Sequence, residues 1–210
     1  MRTMIVVTIL SGVMFFTACS DPAADKTKAV TGEAAQVASP QNAQGQKYQI
    51  TPENSKVDFV GSKVSGSENG SFEKVSGQID YAGSPENSRV NINIDMNSVR
   101  TASEGLAKHL KTADFFDVEK YPQATFVSTA IKAGGDKGAT HTVTGNLTMH
   151  GVTKAITFPA TIAVTPDTAT VDSSFSINRK DFGINYAGAA DNLIRDDVVL
   201  TLHIRASKAS

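Results

Sequence analysis

Apolar and polar residues alternate along most of this chain. In the clearest run, Val90, Ile92 and Ile94 fall on one face of a strand while Asn91 and Asn93 fall on the other. A period of two places successive side chains on opposite faces of a strand, so such a run predicts a strand with one buried face. The same alternation recurs in segments 56–59, 77–81, 125–129, 143–149, 156–164, 171–177 and 198–204.

Short turn sequences separate these runs, among them the glycine-rich segment 134–138 and Pro166-Asp167. Short connections favour antiparallel neighbours. About eight strands with one apolar face each predict an all-β fold, an extended antiparallel up-and-down β-barrel, because closure leaves no exposed edge. A sandwich of two sheets is the alternative. Pro159 cannot donate to a strand ladder, which predicts a bulge or a sheet edge at its position.

One segment, 103–111, has helical rather than alternating spacing. Leu106 and Leu110 are four residues apart and Ser103 is suited to cap the helix, so we predict one short helix near the barrel mouth, as a lid or a plug. The run Asp114-Phe115-Phe116-Asp117 follows it. We expect a tight turn there, with both rings pointing inward and both carboxylates facing water or capping.

The first residues predict export. Arg2 precedes an uncharged apolar run over 4–16, and Thr17-Ala18-Cys19 follows it. This run is shorter than the roughly 20 apolar residues of a membrane span, so residues 1–18 are interpreted as a lipoprotein signal peptide. Cys19 is the single cysteine, and we expect it to carry the lipid, including an acyl chain such as palmitate. An ordinary signal cleaved after Ala18 is the alternative.

Residues 19–46 contain few large apolar side chains, which predicts a lipidated N-terminus and a flexible tether. Residues 47–210 are then one domain of ordinary size. We expect a bacterial cell-envelope protein anchored to a membrane through acylated Cys19. Ser20 after Cys19 fits the outer membrane, on its periplasmic side, by the enterobacterial sorting rule.

Composition and motifs argue against several other classes of function. The formal net charge is −1 and no cluster of lysine and arginine is present, so we expect no nucleic-acid partner. The four histidines lack the spacing of a metal site, and no nucleophile elbow occurs. Asp181-Phe182-Gly183 matches a kinase triplet without the other kinase motifs and predicts a turn that ends a strand. We therefore expect no metal, no cofactor and no catalytic residue.

Three motifs together resemble one known family. They are His109-Leu110-Lys111-Thr112-Ala113-Asp114-Phe115-Phe116-Asp117 with Tyr121-Pro122, Val143-Thr144-Gly145-Asn146-Leu147-Thr148-Met149-His150-Gly151, and Asn178-Arg179-Lys180-Asp181-Phe182-Gly183. In this order they are similar to the YceI-like family of bacterial polyisoprenoid-binding proteins, over about residues 47–208. That resemblance implies a lipocalin-like barrel that carries a lipid and is not an enzyme. The family's arginine-aspartate pair before His109 is missing, because Ala107-Lys108 stand there.

The inward faces of the predicted strands supply candidate ligand contacts. Small inward residues, Gly77, Gly145 and Ala160, are interpreted as leaving space for a tunnel. The residues alone favour plain core packing for the aromatic and aliphatic positions, whereas the family resemblance favours a tunnel. The expected tunnel lining is Phe59, Ile79, Ile92, Ile94, Leu106, Leu110, Phe115, Phe116, Phe126, Leu147, Phe158, Phe175 and Ile177. The candidates for head-group contact are His109, Asn178, Arg179 and Asp181, of which Arg179 suits a phosphate or quinone oxygen best. The alternative for Arg179 is a surface ion pair with Asp181.

The sequence therefore predicts an extracytoplasmic lipoprotein, a monomer or homodimer, that binds a long-chain amphiphile in an apolar tunnel. The resemblance favours an isoprenoid, such as a polyprenyl phosphate or a quinone, with a fatty amide as a further option, for storage or transport. Two alternatives stay open. One is a structural or partner-binding lipoprotein with a filled barrel, and the other is a periplasmic enzyme that modifies lipids.

Overall fold

The structure is a computed structural model that describes residues 21–36 and 45–209. The predicted signal peptide and Cys19 lie outside these ranges. Within them the strands are β1 (Thr27–Lys28), β2 (Val30–Glu33), β3 (Gln46–Ile50), β4 (Lys56–Lys63), β5 (Gly66–Phe72), β6 (Val75–Tyr81), β7 (Arg89–Asp95), β8 (Val99–Thr101), β9 (Gln123–Ala133), β10 (His141–Met149), β11 (Val152–Val164), β12 (Thr168–Asn178), β13 (Gly188–Ala189), β14 (Asn192–Leu193) and β15 (Asp197–Lys208), and one α-helix, α1, spans Glu104–Leu110. None of the helices in the described ranges is long and apolar enough to cross a bilayer.

Eight strand positions close into a barrel. The first three are interrupted, so that β3 continues into β4, β5 into β6 and β7 into β8, and the others are β9, β10, β11, β12 and β15. Strand β15 pairs with β12 on one side and with β3 and β4 on the other, which closes the ring. Neighbours along the chain are antiparallel throughout this ring. The predicted up-and-down barrel is confirmed and the sandwich is wrong.

The alternation predicted from the sequence is what fills the barrel interior. On β10, Val143 and Leu147 point inward and are buried, opposite Phe158 of β11 and Phe126 of β9 respectively. The ring of Phe158 stacks on that of Phe175 at 4.3 Å between centroids and lies 5.7 Å from that of Phe126. Aromatic pairs of this kind stabilise a sheet beyond the area that they bury.

The barrel has an incomplete seam between β11 and β12. These two strands pair only over Thr161–Val164 and Ala169–Asp172. Followed from Val164 back along β11, pairing with β12 stops at Thr161, two residues before Pro159 is reached. Pro159 has no N–H group to donate to a strand ladder, in agreement with the edge predicted there. From that point toward the mouth the two strands have no direct pairing.

Residues 21–36, here called the N-terminal strap, fill this seam. β2 pairs with β11, from Val30 opposite Thr157 to Glu33 opposite Lys154, and β1 pairs in parallel with β12. The predicted flexible tether is therefore wrong for residues 21–36. The strap buries little apolar surface beyond Ala29, which is why composition suggested a tether. Its backbone instead satisfies the unpaired edges of two barrel strands.

Polar side chains fix both ends of the strap to the barrel. The amide of Asn146 brackets Ala35, accepting from its N–H at 2.9 Å and donating to its carbonyl at 2.7 Å. Because Asn146 is buried, this pair of hydrogen bonds is shielded from water and fixes the position of the strap. Ion pairs add Lys28 with Asp197 at 2.7 Å, Lys154 with Glu33 at 2.8 Å and Arg195 with Asp21 at 3.3 Å.

Candidate functional site: an apolar channel with a covered mouth

The barrel encloses an inner cavity of about 80 Å³ whose lining is entirely apolar. No lining side chain can hydrogen-bond to water there, and a cavity of this kind stays dry or takes an apolar guest. The lining residues are Val57, Val90, Ile92, Ile94, Phe126, Ile131, Val143, Leu147, Ile156, Phe158, Ile162, Val171, Phe175, Leu200, Leu202 and Ile204.

A second cavity, the outer cavity, of about 130 Å³, adjoins the first. The two share Val57, Ile94, Leu147 and Leu200, so they lie next to each other in the barrel interior, and we call this row of cavities the channel. Phe59, Phe72, Met96, Leu110, Phe115, Phe116 and Ile177 are among the further apolar residues of the outer cavity. Arg179 is the one charged residue of its lining.

The channel continues to a mouth cavity of about 270 Å³. Phe59, Leu110, Phe115 and Ile194 line both the mouth cavity and the outer cavity, so the two are contiguous. At the mouth the lining becomes mixed, because Ser62, Lys63, Glu68, His109 and Asn192 join the apolar residues. The arrangement is an apolar interior that ends in a polar opening, which matches an amphiphile with a long tail and a compact head.

Helix α1 covers one side of the mouth, as predicted. Ser103 caps it by accepting from the N–H of Leu106 at 3.3 Å, and Leu110 is buried against the barrel. In the following turn Phe115 is buried, and the ring of Phe116 lies 5.5 Å from that of Phe72. The helix, its cap and the inward rings are confirmed. Whether the segment moves as a lid remains a prediction.

The other side of the mouth is covered by residues 184–194, which sequence reasoning missed. This segment contains the small β13–β14 hairpin, and the Tyr186 ring lies 5.2 Å from the rings of both His109 and Phe115. Ile184 is buried and Ile194 packs against the core. The segment has no regular alternation because glycine and alanine residues separate its apolar side chains. The available signal was the presence of Ile184, Tyr186 and Ile194 in an otherwise loop-like segment.

Arg179 holds this second cover in place. Its side chain is only 5 % exposed. Nε donates to the carbonyl of Arg195 at 3.1 Å, Nη1 to that of Ile184 at 2.7 Å, and Nη2 to that of Ile194 at 3.3 Å and to Oδ1 of Asp196 at 3.4 Å. Burial lowers the pKa of Arg179, and the charge of Asp196 opposes that effect. The proposed alternative partner, Asp181, is wrong, since the ion pair is with Asp196.

The four head-group candidates do not form one cluster. His109 lines the mouth cavity and its Nε2 lies 2.8 Å from Oδ2 of Asp114. Asn178 accepts from the N–H of Lys180 and so caps the turn Arg179–Phe182, which ends at Gly183 with a φ of 74° as predicted for a turn closing the strand. Asp181 lines none of the cavities described above. Arg179 therefore borders the outer cavity and His109 the mouth cavity, while Asn178 and Asp181 line neither.

The predicted tunnel residues map well onto these cavities. Twelve of the thirteen line the inner, outer or mouth cavity, and Ile79 does not. Ile79 is buried opposite Tyr48 and Val90, where it packs into the core of the barrel. Period two identifies the inward face of a strand but not how far along the channel each residue lies.

The small inward residues do not create the space that was expected of them. A Cβ atom at Gly145 would lie 2.3 Å from Cζ of Phe126, so the ring of Phe126 already occupies that volume. At Gly77 a Cβ atom would lie 2.0 Å from the backbone oxygen of Asn91. These glycines permit close packing, and the channel owes its width to the barrel's circumference instead. Among the described residues, no group of three histidine, cysteine or acidic side chains could hold a metal ion.

A closed eight-stranded barrel with an apolar channel and a polar mouth defines the class of small ligand-cavity barrels. The YceI-like domain family matches residues 48–206, and the chain belongs to it. It is 38 % identical over 136 residues to a UPF0312 protein of Pseudomonas putida, covering 61 % of this chain and 70 % of that protein. It is 36 % identical over 138 residues to one of Pseudomonas fluorescens, covering 62 % and 71 %.

Solved structures share the fold. BcnA of Burkholderia cenocepacia superposes with a TM-score of 0.66 at 28 % identity, over 75 % of this chain and 99 % of that one. The YCEI protein of Campylobacter jejuni gives 0.59 at 26 % identity, over 67 % and 85 %. A polyisoprenoid binding domain from Saccharophagus degradans gives 0.62 at 20 % identity, over 79 % and 100 %, which shows a common fold.

Proposed function

We propose that this protein binds a long-chain isoprenoid or a similar amphiphile, with the tail in the apolar channel and the head at the mouth. The observation that carries the proposal is the continuity of the lining. Sixteen apolar residues surround the inner cavity, Arg179 is the one charged residue that lines the outer cavity, and the lining becomes mixed at the opening. The polyisoprenoid-binding relative of the same fold supports the ligand class.

The dimensions favour a flexible chain over a rigid ring system. The inner cavity of about 80 Å³ and the outer cavity of about 130 Å³ are each smaller than the roughly 300–1,000 Å³ of typical ligand sites. A slender chain fits consecutive narrow cavities, and each buried methylene contributes about 0.8 kcal/mol. A bulkier guest would have to displace the stacked rings of Phe158 and Phe175. The mouth cavity of about 270 Å³ is wide enough for the head group.

Arg179 is the group we assign to an oxygen of the ligand. Four of the five guanidinium N–H groups bond to the protein, which leaves one on Nη1 without a partner among the described residues. The side chain also borders the otherwise apolar outer cavity. A charged donor in such surroundings binds a phosphate or quinone oxygen more strongly than it would in water. His109 at the mouth is the second contact for a longer head group.

We infer a binding protein rather than an enzyme, because the inner and outer cavities are lined, among the described residues, by apolar side chains and Arg179, without an acid–base pair or a nucleophile. The cellular setting belongs to the same proposal. The signal-like residues 1–18 and Cys19 support an extracytoplasmic lipoprotein, for which Cys19→Ala would release the protein into the soluble envelope fraction. Ser20→Ala serves as the matched control, since it leaves the acylated residue unchanged.

Organic extraction of the purified protein, followed by mass spectrometry, tests the ligand assignment. We expect a long-chain species at near-stoichiometric occupancy and saturable uptake of an added prenyl phosphate or ubiquinone analogue. Extraction of nothing, together with no uptake, would indicate a filled barrel and favour the structural or partner-binding alternative. Turnover of an added lipid would favour the enzyme.

A further inference from the structure

The large apolar side chains that are exposed among the described residues concentrate at the channel mouth. There are four of them, and three, Val64, Tyr186 and Leu193, surround the mouth; we call these three the apolar rim. Val64 donates its N–H to the carbonyl of Leu193 at 3.2 Å, and Tyr186 lines the mouth cavity. The fourth, Val30, lies on the strap. The rim is thus a local feature of one end of the barrel.

The N-terminal strap brings the start of the described chain to this same end. Asp21 forms its ion pair with Arg195, two residues from Leu193, and both Asp21 and Leu193 border the same open groove. Cys19 precedes Asp21 by two residues. Two residues of extended chain span at most about 7 Å, so an anchor at residue 19 is limited to that reach from Asp21 and its groove.

A fixed strap has a different consequence from a free tether. A random coil over the 28 residues from Cys19 to Gln46 would separate anchor and barrel by about 30 Å and allow any orientation. Residues 27–28 pair with β12, residues 30–33 pair with β11, and Asp21 forms an ion pair with Arg195, so the start of the described chain is held against the barrel. Acyl chains on Cys19 would therefore hold one particular face of the barrel against the membrane.

We propose that the apolar rim docks on the surface of the phospholipid bilayer that holds Cys19, so that the channel mouth faces this bilayer. The proposal rests on the lipoprotein anchor of the proposed function. Leucine and valine side chains gain by leaving water, and a tyrosine ring is suited to the boundary between water and lipid. Charges beside the mouth have both signs, Lys63 and Glu68, so docking requires no anionic lipid. A long apolar ligand would then pass between bilayer and channel without crossing water.

The experiment uses the full acylated protein in vesicles of phosphatidylcholine that contain a nitroxide-labelled fraction. Because acylation blocks Cys19, a single added cysteine can carry an environment-sensitive fluorophore. The rim site is Leu193→Cys. The matched sites are Val30→Cys, which is apolar and exposed on the strap, and Asp167→Cys, which is exposed in the β11–β12 hairpin at the opposite end. We expect blue-shifted, quenched emission at 193, and unshifted, unquenched emission at 30 and 167.

Two insertion variants test the role of the strap. About fifteen Gly/Ser residues between Ser20 and Asp21 add roughly 20 Å of flexible reach and should abolish the difference in quenching between the sites. The same insertion between Pro40 and Gln41, after the strap, should leave it intact.

Each contrary result has a separate meaning. Vesicle flotation reports the anchor, and uptake of a prenyl phosphate reports the channel. Protein that floats and takes up ligand, yet is quenched equally at all three sites, would refute docking alone. Self-proximity of labels at 193 without quenching would also refute it, in favour of a second copy of the chain on the rim. Protein that does not float would refute the anchor, and docking with it.

Discussion

Replacing Gly145 with alanine tests whether the channel wall depends on aromatic rings that pack over glycine. Pairing between β10 and β9 shifts register between Thr144 and Gly145, which leaves Thr129 as an extra residue on β9. An added Cβ atom would lie 2.3 Å from Cζ of Phe126 and 2.6 Å from the backbone oxygen of Val127. The ring can turn away, but the oxygen can retreat only if the ladder loosens.

Overpacking of a core costs about 1–3 kcal/mol, and the backbone contact places this substitution in the upper half of that range, about 2–3 kcal/mol. For a domain of this size, each kcal/mol shifts the Tm by roughly 2–4 °C, so Gly145→Ala should melt about 4–12 °C below the parent. Circular dichroism measures the shift. A turned Phe126 ring would also narrow the inner cavity that it lines, and uptake of a prenyl ligand should fall.

Gly32→Ala is the control, because Gly32 is also in a strand but has nothing within 4 Å of an added Cβ atom. Its Tm should change little. The double substitution Gly145→Ala with Phe126→Leu removes the contact with the ring and leaves the contact with the backbone oxygen. Comparing it with the two single substitutions, as a double-mutant cycle, divides the loss of stability between these two contacts. If Gly145→Ala melts as high as Gly32→Ala, the ring-over-glycine interpretation fails.

Three further substitutions address the channel, the cover and the pH response. Leu200 lines both the inner and the outer cavity, so Leu200→Trp should abolish lipid uptake while the circular dichroism spectrum stays native. Retained uptake would contradict a continuous channel, and Val30→Trp is the exposed control. Arg179→Lys should lower the free energy of unfolding by about 2–4 kcal/mol, because it leaves buried carbonyl groups unpaired. Amide hydrogen exchange should become faster in residues 184–196 specifically. A uniform increase across the barrel would contradict the role of Arg179 in holding this segment. Burial raises the pKa of Asp172, but hydrogen bonds from Arg205 and His203 outweigh it and leave this pKa below its usual value. The ionised Asp172 therefore stabilises the fold at pH values above its unfolded-state pKa, and this stabilisation is lost as pH falls through its folded-state pKa. Asp172→Asn should flatten the decline of the urea midpoint below about pH 4, and an unchanged slope would contradict the assignment to Asp172.

The closed barrel was predictable because its signal is local and repeated. Each strand carries its own period of two, as in the run from Val90 to Ile94, and eight such runs with short turns leave few architectures. Helix α1 was predictable for the same reason, since Ser103 and the spacing of Leu106 and Leu110 lie within one short segment. The channel lining followed from the inward faces of these elements.

The strap and the second cover were not predictable from local pattern. The strap is held by hydrogen bonds to edges of β11 and β12 that exist only because pairing stops near Pro159, and by Asn146 of β10, more than a hundred residues away in sequence. The role of Arg179 depends in the same way on carbonyls of residues 184, 194 and 195, which the fold brings around it. Such contacts leave no periodic trace in the chain.

The sequence by itself determined the number of strands, their inward faces and the family, because hydrophobic burial acts on each strand separately and leaves its period in the residues. Only the tertiary structure decided that the barrel has a seam, that residues 21–36 close it, and that one arginine fastens the cover of the mouth. Backbone hydrogen bonds and buried charge contacts between distant segments depend on where the chain has been placed, and composition does not record that placement.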